Sequence, residues 1–206
     1  SLFQLFCKRG SPGCRGFIAQ RDHCLLDMTP MLLAVFAHPD DESYRAGGTL
    51  AMLASKGVDI QVITATRGER GIPSIPPSEA KVIREEELRC ACRVLGFLQP
   101  RFLDYPDGEL SSIDEMEAVV YLTGLLRELQ PDVLLTWPPS GISGHEDHQV
   151  ISDWTRKSFL QAANPAYLAG NLNPYAVPAF YHLAVAHSVA EAVGFHDLHS
   201  IPDEEV

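Results

Sequence analysis

Short, almost wholly apolar segments alternate with longer segments of helical character along most of this chain. The first, MLLAVFA at residues 31–37, is apolar at every position, which is typical of a parallel strand covered on both faces. The predicted strands are residues 31–37, 58–66, 101–105, 132–137 and 179–187, and the predicted helices are 46–56, 79–95, 114–130 and 147–162. This β-α-β-α order predicts an α/β fold, Rossmann-like and doubly wound, with helices on both faces of a mainly parallel sheet.

Local signals mark the ends of one predicted helix. Ser78 is expected to cap the helix over 79–95, because its hydroxyl can accept from the first main-chain N–H groups. Gly96 is expected to end the same helix.

The composition is that of a globular domain with an acidic surface. The chain has 206 residues, of which 46% are apolar, and its 16 basic and 27 acidic residues give a net charge of −11. Such a chain lacks the basic surface that nucleic acids and anionic membranes attract, so neither is an expected partner. No apolar run reaches the roughly 18 residues of a membrane span. Without an export signal, and with five cysteines in no regular framework, the protein is expected to be cytoplasmic.

Residues 1–30 differ from the rest of the chain. They show no clear period, carry more basic than acidic side chains, and contain three of the five cysteines. We predict that residues 1–30 form a tail that is dispensable for function and that residues 31–206 form one domain.

The densest polar segments directly follow the predicted strands. AHPDDE occupies residues 37–42, TRGERG residues 66–71, DYPDGEL residues 104–110 and GHEDH residues 144–148. In an open α/β sheet, ligands bind beyond the carboxyl ends of the strands, so all four segments are expected at one edge. The sequence therefore predicts a functional site at that edge.

Two of these segments contain groups that bind metal ions. In the first, His38 stands beside Asp40 and Asp41, a pair of carboxylates that is costly unless a cation neutralises it. In the last, His145 and His148 are three residues apart and share one face of a helical turn. Histidine and aspartate are common zinc ligands, and a catalytic zinc site uses three protein ligands and leaves one coordination position for water. The structural alternative is a helix cap and a solvated turn, but the shared edge favours a metal site.

These segments resemble the motifs of the zinc-dependent N-deacetylases of the LmbE-like, or PIG-L, family. AHPDDE with the following AGGTL, TRGERG, FLDYPDGEL and GHEDH stand in the family's order over about residues 31–148, with a looser match to the end. Family members remove an acetyl group from N-acetylglucosamine-type conjugates. The resemblance implies the same fold, a small amino-sugar conjugate as substrate and a homo-oligomeric assembly, but no particular substrate.

The resemblance also assigns roles to single residues. His38, Asp41 and His148 would bind the metal, which is zinc or another divalent ion such as iron. Asp40 would be the general base that takes a proton from zinc-bound water. His145 would lie near the substrate oxygen and stabilise the oxyanion, so that acetate and a free amino sugar are released.

Arg67 and Asp107 are the predicted contacts to the sugar, because the family places substrate-binding polar residues in these two segments. Each residue also has a simpler explanation. Arg67 can form a surface ion pair with Glu69 or Asp107, and Asp107 is an ordinary turn residue in Pro-Asp-Gly.

Other functions compete with deacetylation. A nucleotide-binding domain is disfavoured, because the chain has neither G-x-G-x-x-G after its first strand nor a phosphate-binding P-loop. A non-catalytic metal- or sugar-binding homologue would retain the ligands without hydrolysing an amide. A related amidase would use the same site on a thiol conjugate or an antibiotic side chain.

Two departures from the family's pattern bear on substrate choice. Some members have a tyrosine two residues before the first histidine of H-x-x-H, where this chain has Ser143. The family often continues well beyond the last predicted strand, whereas this sequence stops at IPDEEV. We therefore expect that the domain lacks its C-terminal end.

Overall fold

A single parallel sheet of five strands forms the centre of the computed structural model, which describes residues 29–194 and 198–205. The order across the sheet is β3-β2-β1-β4-β5. Strands are added first on one side of β1 and then on the other, which is the predicted doubly wound arrangement. The strands are β1 (Met31–Phe36), β2 (Asp59–Thr64), β3 (Arg101–Phe102), β4 (Val133–Thr136) and β5 (Ala179–His182).

Helices surround this sheet, as predicted. They are α1 (Gly47–Ala54), α2 (Pro77–Leu95), α3 (Glu115–Leu129), α4 (Glu146–Ala162) and α5 (His187–Ala192), with a π-helical turn at Glu42–Ala46 and 3-10 turns at Leu110–Ser112 and Asp203–Glu205. α1 packs with α2 and against β2, while α3 packs with α4, which lies against β1 and β4. Within the described residues, no helix combines the length and the apolar character that crossing a membrane requires.

β1 lies at the centre of the sheet and is covered on both faces. Every residue from 32 to 36 is buried. Leu33 pairs with Gln61 of β2 on one side and with Leu134 of β4 on the other. A strand without a solvent-exposed face needs apolar residues at consecutive positions, which explains why this segment does not alternate.

The two edge strands are shorter than the sequence predicted. β3 ends at Phe102 instead of residue 105, and Asp104 has a left-handed backbone with φ 63°, which ends regular pairing. β5 ends at His182 instead of residue 187, because its neighbour β4 ends at Thr136, the residue that pairs with His182. α5 begins at His187, where the predicted strand was expected to end.

The helix predicted over 79–95 begins two residues earlier, at Pro77, and the predicted cap is wrong. Ser78 lies inside the helix, since a proline suits the first helical turn, where a main-chain N–H has no partner in the helix. Gly96 does end the helix, with φ 78°. The helix predicted over 46–56 corresponds to α1, which ends two residues earlier at Ala54 and directly follows the π-helical turn.

The first 28 of the 30 residues in the predicted tail lie outside the described residues. Pro30 already belongs to the fold, because its carbonyl accepts a hydrogen bond from the Asp59 N–H at 2.9 Å. That the tail is dispensable stays a prediction.

A buried arginine joins α3 to the end of α4. Arg127 is 4% exposed. Carbonyl groups at a helix C-terminus lack partners within the helix and carry partial negative charge, so a guanidinium suits them. The contacts of Arg127 fix the C-terminal end of α4, the helix whose first turn carries part of the GHEDH segment. The guanidinium donates at 2.7–3.1 Å to the main-chain carbonyls of Gln161, Ala162, Asn164 and Tyr167.

We predict that Arg127→Met lowers the free energy of unfolding by about 3 kcal/mol, because an apolar side chain of similar length leaves four main-chain carbonyls, including that of the buried Ala162, without this donor. Urea unfolding measures this loss. Arg156→Met is the matched control, since Arg156 lies partly exposed on α4 and pairs with Asp153. The control should lose at most about 1 kcal/mol. Equal losses in the two variants would contradict the role given to Arg127.

Candidate metal centre

The polar segments that follow β1 to β4 meet in one cleft at the carboxyl edge of the sheet. The cleft has a volume of about 380 Å³. Each of the four segments contributes to its wall, as the strand order requires. Six of the residues that the sequence singled out line it, namely His38, Asp40, Asp41, Asp107, His145 and His148.

Three of these residues bring ligand atoms close together in the geometry of a metal site. His148 Nε2 lies 3.3 Å from His38 Nδ1 and 3.4 Å from Asp41 Oδ1. His38 Nδ1 lies 3.9 Å from Asp41 Oδ2. In a tetrahedral zinc site with bonds of roughly 2.0–2.2 Å, neighbouring ligand atoms are about 3.3–3.6 Å apart. The residues His38, Asp41 and His148 therefore form a group that can hold a metal ion.

Asp41 is fixed by hydrogen bonds to one of its two oxygens. Oδ2 accepts from the main-chain N–H groups of Ala37 and His38 at 3.1 and 3.0 Å, and from the Trp137 indole at 3.1 Å. Burial by itself would raise the pKa of Asp41, but the neighbouring histidines and these donors outweigh it and lower the pKa. The carboxylate is therefore ionised at neutral pH, with Oδ1 facing His148.

His38 is oriented by two carboxylates on the far side of its ring. Its Nε2 lies 3.1 Å from Asp147 Oδ2 and 3.2 Å from Asp107 Oδ1. This contact keeps the proton on Nε2 and leaves Nδ1 to face the other ligand atoms. Asp147 is itself held by the N–H groups of Gly108 and Leu110, at 2.7 and 3.2 Å.

Asp147 was not among the predicted site residues, although it stands between the two histidines of H-x-x-H. Asp147 could have been found from the sequence, because a metal-binding histidine usually donates its second N–H to a carboxylate. Asp107, predicted to contact the sugar, does line the cleft, but it also contacts His38 Nε2 and accepts from the Arg70 N–H at 2.8 Å.

His148 is enclosed on three sides. Its ring stacks on Trp137 at a centroid distance of 4.0 Å and an angle of 8°. The ring of His148 also stacks on the ring of His145, at a centroid distance of 4.6 Å and an interplanar angle of 22°. Nδ1 lies 3.3 Å from the Gly141 carbonyl. Gly141 has φ 66°, and a Cβ there would lie 3.0 Å from the His145 carbonyl, so a side chain would displace this turn.

His145 caps α4 with its own ring. Nδ1 accepts from the Asp147 N–H at 3.2 Å, so the proton of the neutral imidazole lies on Nε2. Burial, together with the charges of His148 and His38, lowers the pKa of His145. The neutral ring therefore offers an N–H donor to a ligand in the cleft.

Asp40 has an unusual backbone and an arginine partner. Its φ of 106° is rare for a residue with a side chain, and such strain is found where function requires it. Arg84, on α2, donates to Asp40 Oδ2 at 2.7 Å and also to the Pro39 carbonyl. Partial burial and the neighbouring Asp41 raise the pKa of Asp40, against the opposing effect of Arg84.

Arg67 is not among the residues that line the cleft. Its guanidinium pairs with Glu85 and Asp104 and lies 4.6 Å from the Phe102 ring centroid. The sequence had suggested Glu69 or Asp107 as the ion-pair partner of Arg67. Glu85 could not be foreseen, because spacing along the chain does not reveal that α2 approaches this turn. Three other arginines, Arg45, Arg70 and Arg84, line the cleft instead. A contact of Arg67 with the sugar stays a prediction.

This doubly wound sheet, with a His/Asp/His group at its carboxyl edge, defines a class of α/β domain built around a candidate metal centre. The chain belongs to the PIG-L family. The sequence model of that family, described as GlcNAc-PI de-N-acetylase, matches residues 33–159. The resemblance seen in the four motifs is thereby confirmed.

Individual proteins show the same relationship. A 1D-myo-inositol 2-acetamido-2-deoxy-alpha-D-glucopyranoside deacetylase of Streptomyces griseus is 35% identical over 193 residues, covering 81% of this chain and 59% of that protein. This chain thus spans about three fifths of that relative's length. The N,N'-diacetylchitobiose deacetylase of Pyrococcus horikoshii has a TM-score of 0.65 and 28% identity, over 70% of this chain and 56% of that one. The 4-carboxy-2-hydroxymuconate hydratase of Pseudomonas putida has a TM-score of 0.66 over 76% of this chain and 66% of that one; at 23% identity it shows the fold alone.

We predict that metal binding releases a proton from His38. Burial by itself would lower the pKa of His38, but Asp107, Asp147 and Asp41 outweigh it and raise the pKa to about 10. In the metal-free protein, Nδ1 therefore carries a proton at neutral pH that an ion must displace. Affinity should rise by about tenfold per pH unit between pH 6.5 and 8.

Calorimetric titration with zinc in buffers of different ionisation enthalpy counts the released protons. Asp107→Asn removes one of the carboxylates that raise the pKa of His38, so the pH above which the zinc affinity stops rising should be lower in that variant. Proton release of zero, with an affinity independent of pH, would contradict the prediction.

Proposed function

We propose that this protein is a metal-dependent amidase that removes the acetyl group from an N-acetylglucosamine-type conjugate. The observation that carries the proposal is one cleft in which ligand atoms of His38, Asp41 and His148 lie within 4.8 Å of one another, together with Asp40 and His145. Two relatives support it, since they are deacetylases of amino sugars that carry an acetamido group.

The donor set fits zinc, with iron(II) as an alternative. Two imidazole nitrogens and one carboxylate oxygen are a common ligand set of catalytic zinc sites, and other divalent ions also accept it. A divalent ion held by His38, Asp41 and His148 would acidify water and polarise the acetamide carbonyl. The oxygens and nitrogens of these side chains that do not face the ion are all occupied by hydrogen-bond partners, which favours a prearranged site.

Asp40 is the proposed general base. Its carboxylate lines the cleft, and its raised pKa brings it closer to neutral pH, where proton exchange in both directions is efficient. The carboxylate takes a proton from the attacking water as the new C–O bond forms. It then delivers that proton to the nitrogen as the C–N bond breaks, giving acetate and a free amine.

His145 is the proposed donor to the substrate oxygen. Since Nδ1 accepts from the Asp147 N–H, Nε2–H is available even when the ring is neutral. This N–H would stabilise the negative charge that develops on the acetamide oxygen, a contribution typically worth about 10²–10³ in rate. Ser143, which lines the cleft where some relatives have a tyrosine, offers a shorter hydroxyl.

The remaining expectations from the sequence are part of this proposal. Asp107 lines the cleft and is the better placed of the two predicted sugar contacts. Arg67, which does not line the cleft, is retained as the weaker candidate. A cytoplasmic location and a homo-oligomeric state stay predictions.

Release of primary amine from a panel of N-acetylglucosaminides tests the function. The panel includes an inositol-linked and a chitobiose-type substrate, with zinc or iron(II) supplied to metal-free protein. Release from a sugar substrate is the expected result. Release only from acetylated thiol conjugates or antibiotic side chains would indicate the related amidase. Bound zinc without release from any substrate would indicate a non-catalytic homologue.

We predict that Asp40→Asn lowers turnover by about 10²–10⁴, because the amide cannot accept the proton from water. Zinc binding should be unchanged, since Asp40 is not among the three ligands. Asp153→Asn is the matched control, because Asp153 is a carboxylate on α4 that pairs with Arg156 and Lys157 away from the cleft. Steady-state amine release and metal analysis measure both effects. Near-normal turnover in Asp40→Asn would refute the assignment of the base.

A further inference from the structure

Trp137 contacts two of the three proposed ligands at once. It directly follows β4, is 2% exposed, and packs edge-on against Phe36 of β1 at a centroid distance of 5.9 Å. Its indole N–H donates to Asp41 Oδ2, while its ring stacks on His148. A tryptophan that served only to fill the core would need neither contact.

The hydrogen bond selects which oxygen of Asp41 faces the ion. The other two donors to Oδ2, the N–H groups of Ala37 and His38, belong to the main chain of the β1 loop, whereas Trp137 approaches from β4. Without the indole donor, Oδ2 keeps only partners from its own loop. The carboxylate is then held from one side, and its plane can turn away from the orientation in which Oδ1 faces His148.

The stacking contact restricts the ring of His148. The ring centroids of Trp137 and His148 are 4.0 Å apart, and the angle between the two ring planes is 8°. His145 stacks on the same ring at 4.6 Å and 22°, so rotation about the Cβ–Cγ bond of His148 would collide with both neighbours. Nε2 is thereby kept directed at His38 and Asp41.

We infer that Trp137 is a positioning residue that sets the affinity of the site for its metal ion. It fixes the oxygen of one ligand by a hydrogen bond and the ring of another by stacking. The inference rests on the metal site of the proposed function. It adds that the affinity depends on an aromatic donor at position 137, which binds no metal itself.

Zinc affinity, measured by competition with a chromophoric chelator, tests the inference without any substrate. Trp137→Phe retains a ring for stacking but loses the donor, and should bind zinc about tenfold more weakly. Trp137→Leu loses both contacts and should bind about a hundredfold more weakly. Far-UV circular dichroism and thermal unfolding of the metal-free proteins check that each variant is folded. Trp137→Phe is the deciding variant, because its ring still fills the core.

The chain offers a matched control in its second tryptophan, since it contains two. Trp154 is also 2% exposed and packs edge-on against Tyr105, at 5.5 Å, but does not line the cleft. Trp154→Phe removes the same atoms from the core and should keep the wild-type affinity. It also leaves Trp137 as the single indole, so zinc should alter its fluorescence with the same affinity as the chelator assay reports. In Trp137→Phe, zinc should leave the fluorescence of Trp154 unchanged.

The outcomes separate this inference from the proposed function. If Trp137→Phe binds zinc as tightly as the wild type, the inference is overturned, whereas the metal site stands. Equal weakening in Trp137→Phe and Trp154→Phe would also overturn it, because the loss would then reflect general packing. A wild-type protein that binds neither zinc nor iron(II) would refute the metal site, and with it both proposals.

Discussion

The carboxylate of Asp41 joins the two central strands of the sheet at the edge where the chemistry is proposed. Its Oδ2 accepts from two main-chain N–H groups at the end of β1 and from the indole of Trp137 at the end of β4. Rotating this buried carboxylate would break all three hydrogen bonds, so a single orientation is favoured. The position of Oδ1 is thus determined by the spacing of two paired strands, which is far less variable than the conformation of a free side chain.

A requirement for positive charge follows from this arrangement. Asp41, Asp107 and Asp147 are 6%, 7% and 1% exposed, and all three lie around His38. Buried carboxylates are costly without a compensating charge. In the metal-free protein, the imidazolium of His38 supplies part of that charge. A bound cation would replace the proton, so the proton and the metal ion compete for the same place in a cluster of fixed anions.

The sequence was most informative where a single segment carries the whole signal. The apolar run of β1 indicated a strand buried on both faces, and AHPDDE and GHEDH contain the three residues that the structure brings together as a group able to hold a metal ion. The roles of Arg127 and Trp137 could not be predicted, because each depends on contacts between segments far apart in the chain. The edge strands were overestimated for a related reason: the length of β5 is limited by its partner and not by its own residues.

The reversal of strand order at β1 also bears on how the protein folds. His38 and His148 are 110 positions apart in sequence, yet they meet because β4 pairs directly with β1. Closing so long a loop costs entropy, so we expect this pairing to form late in folding. A metal ion would therefore find all three proposed ligands together only in a chain that has already assembled both halves of its sheet. Metal binding would then stabilise the native state by slowing unfolding, and it would have little effect on the rate of folding.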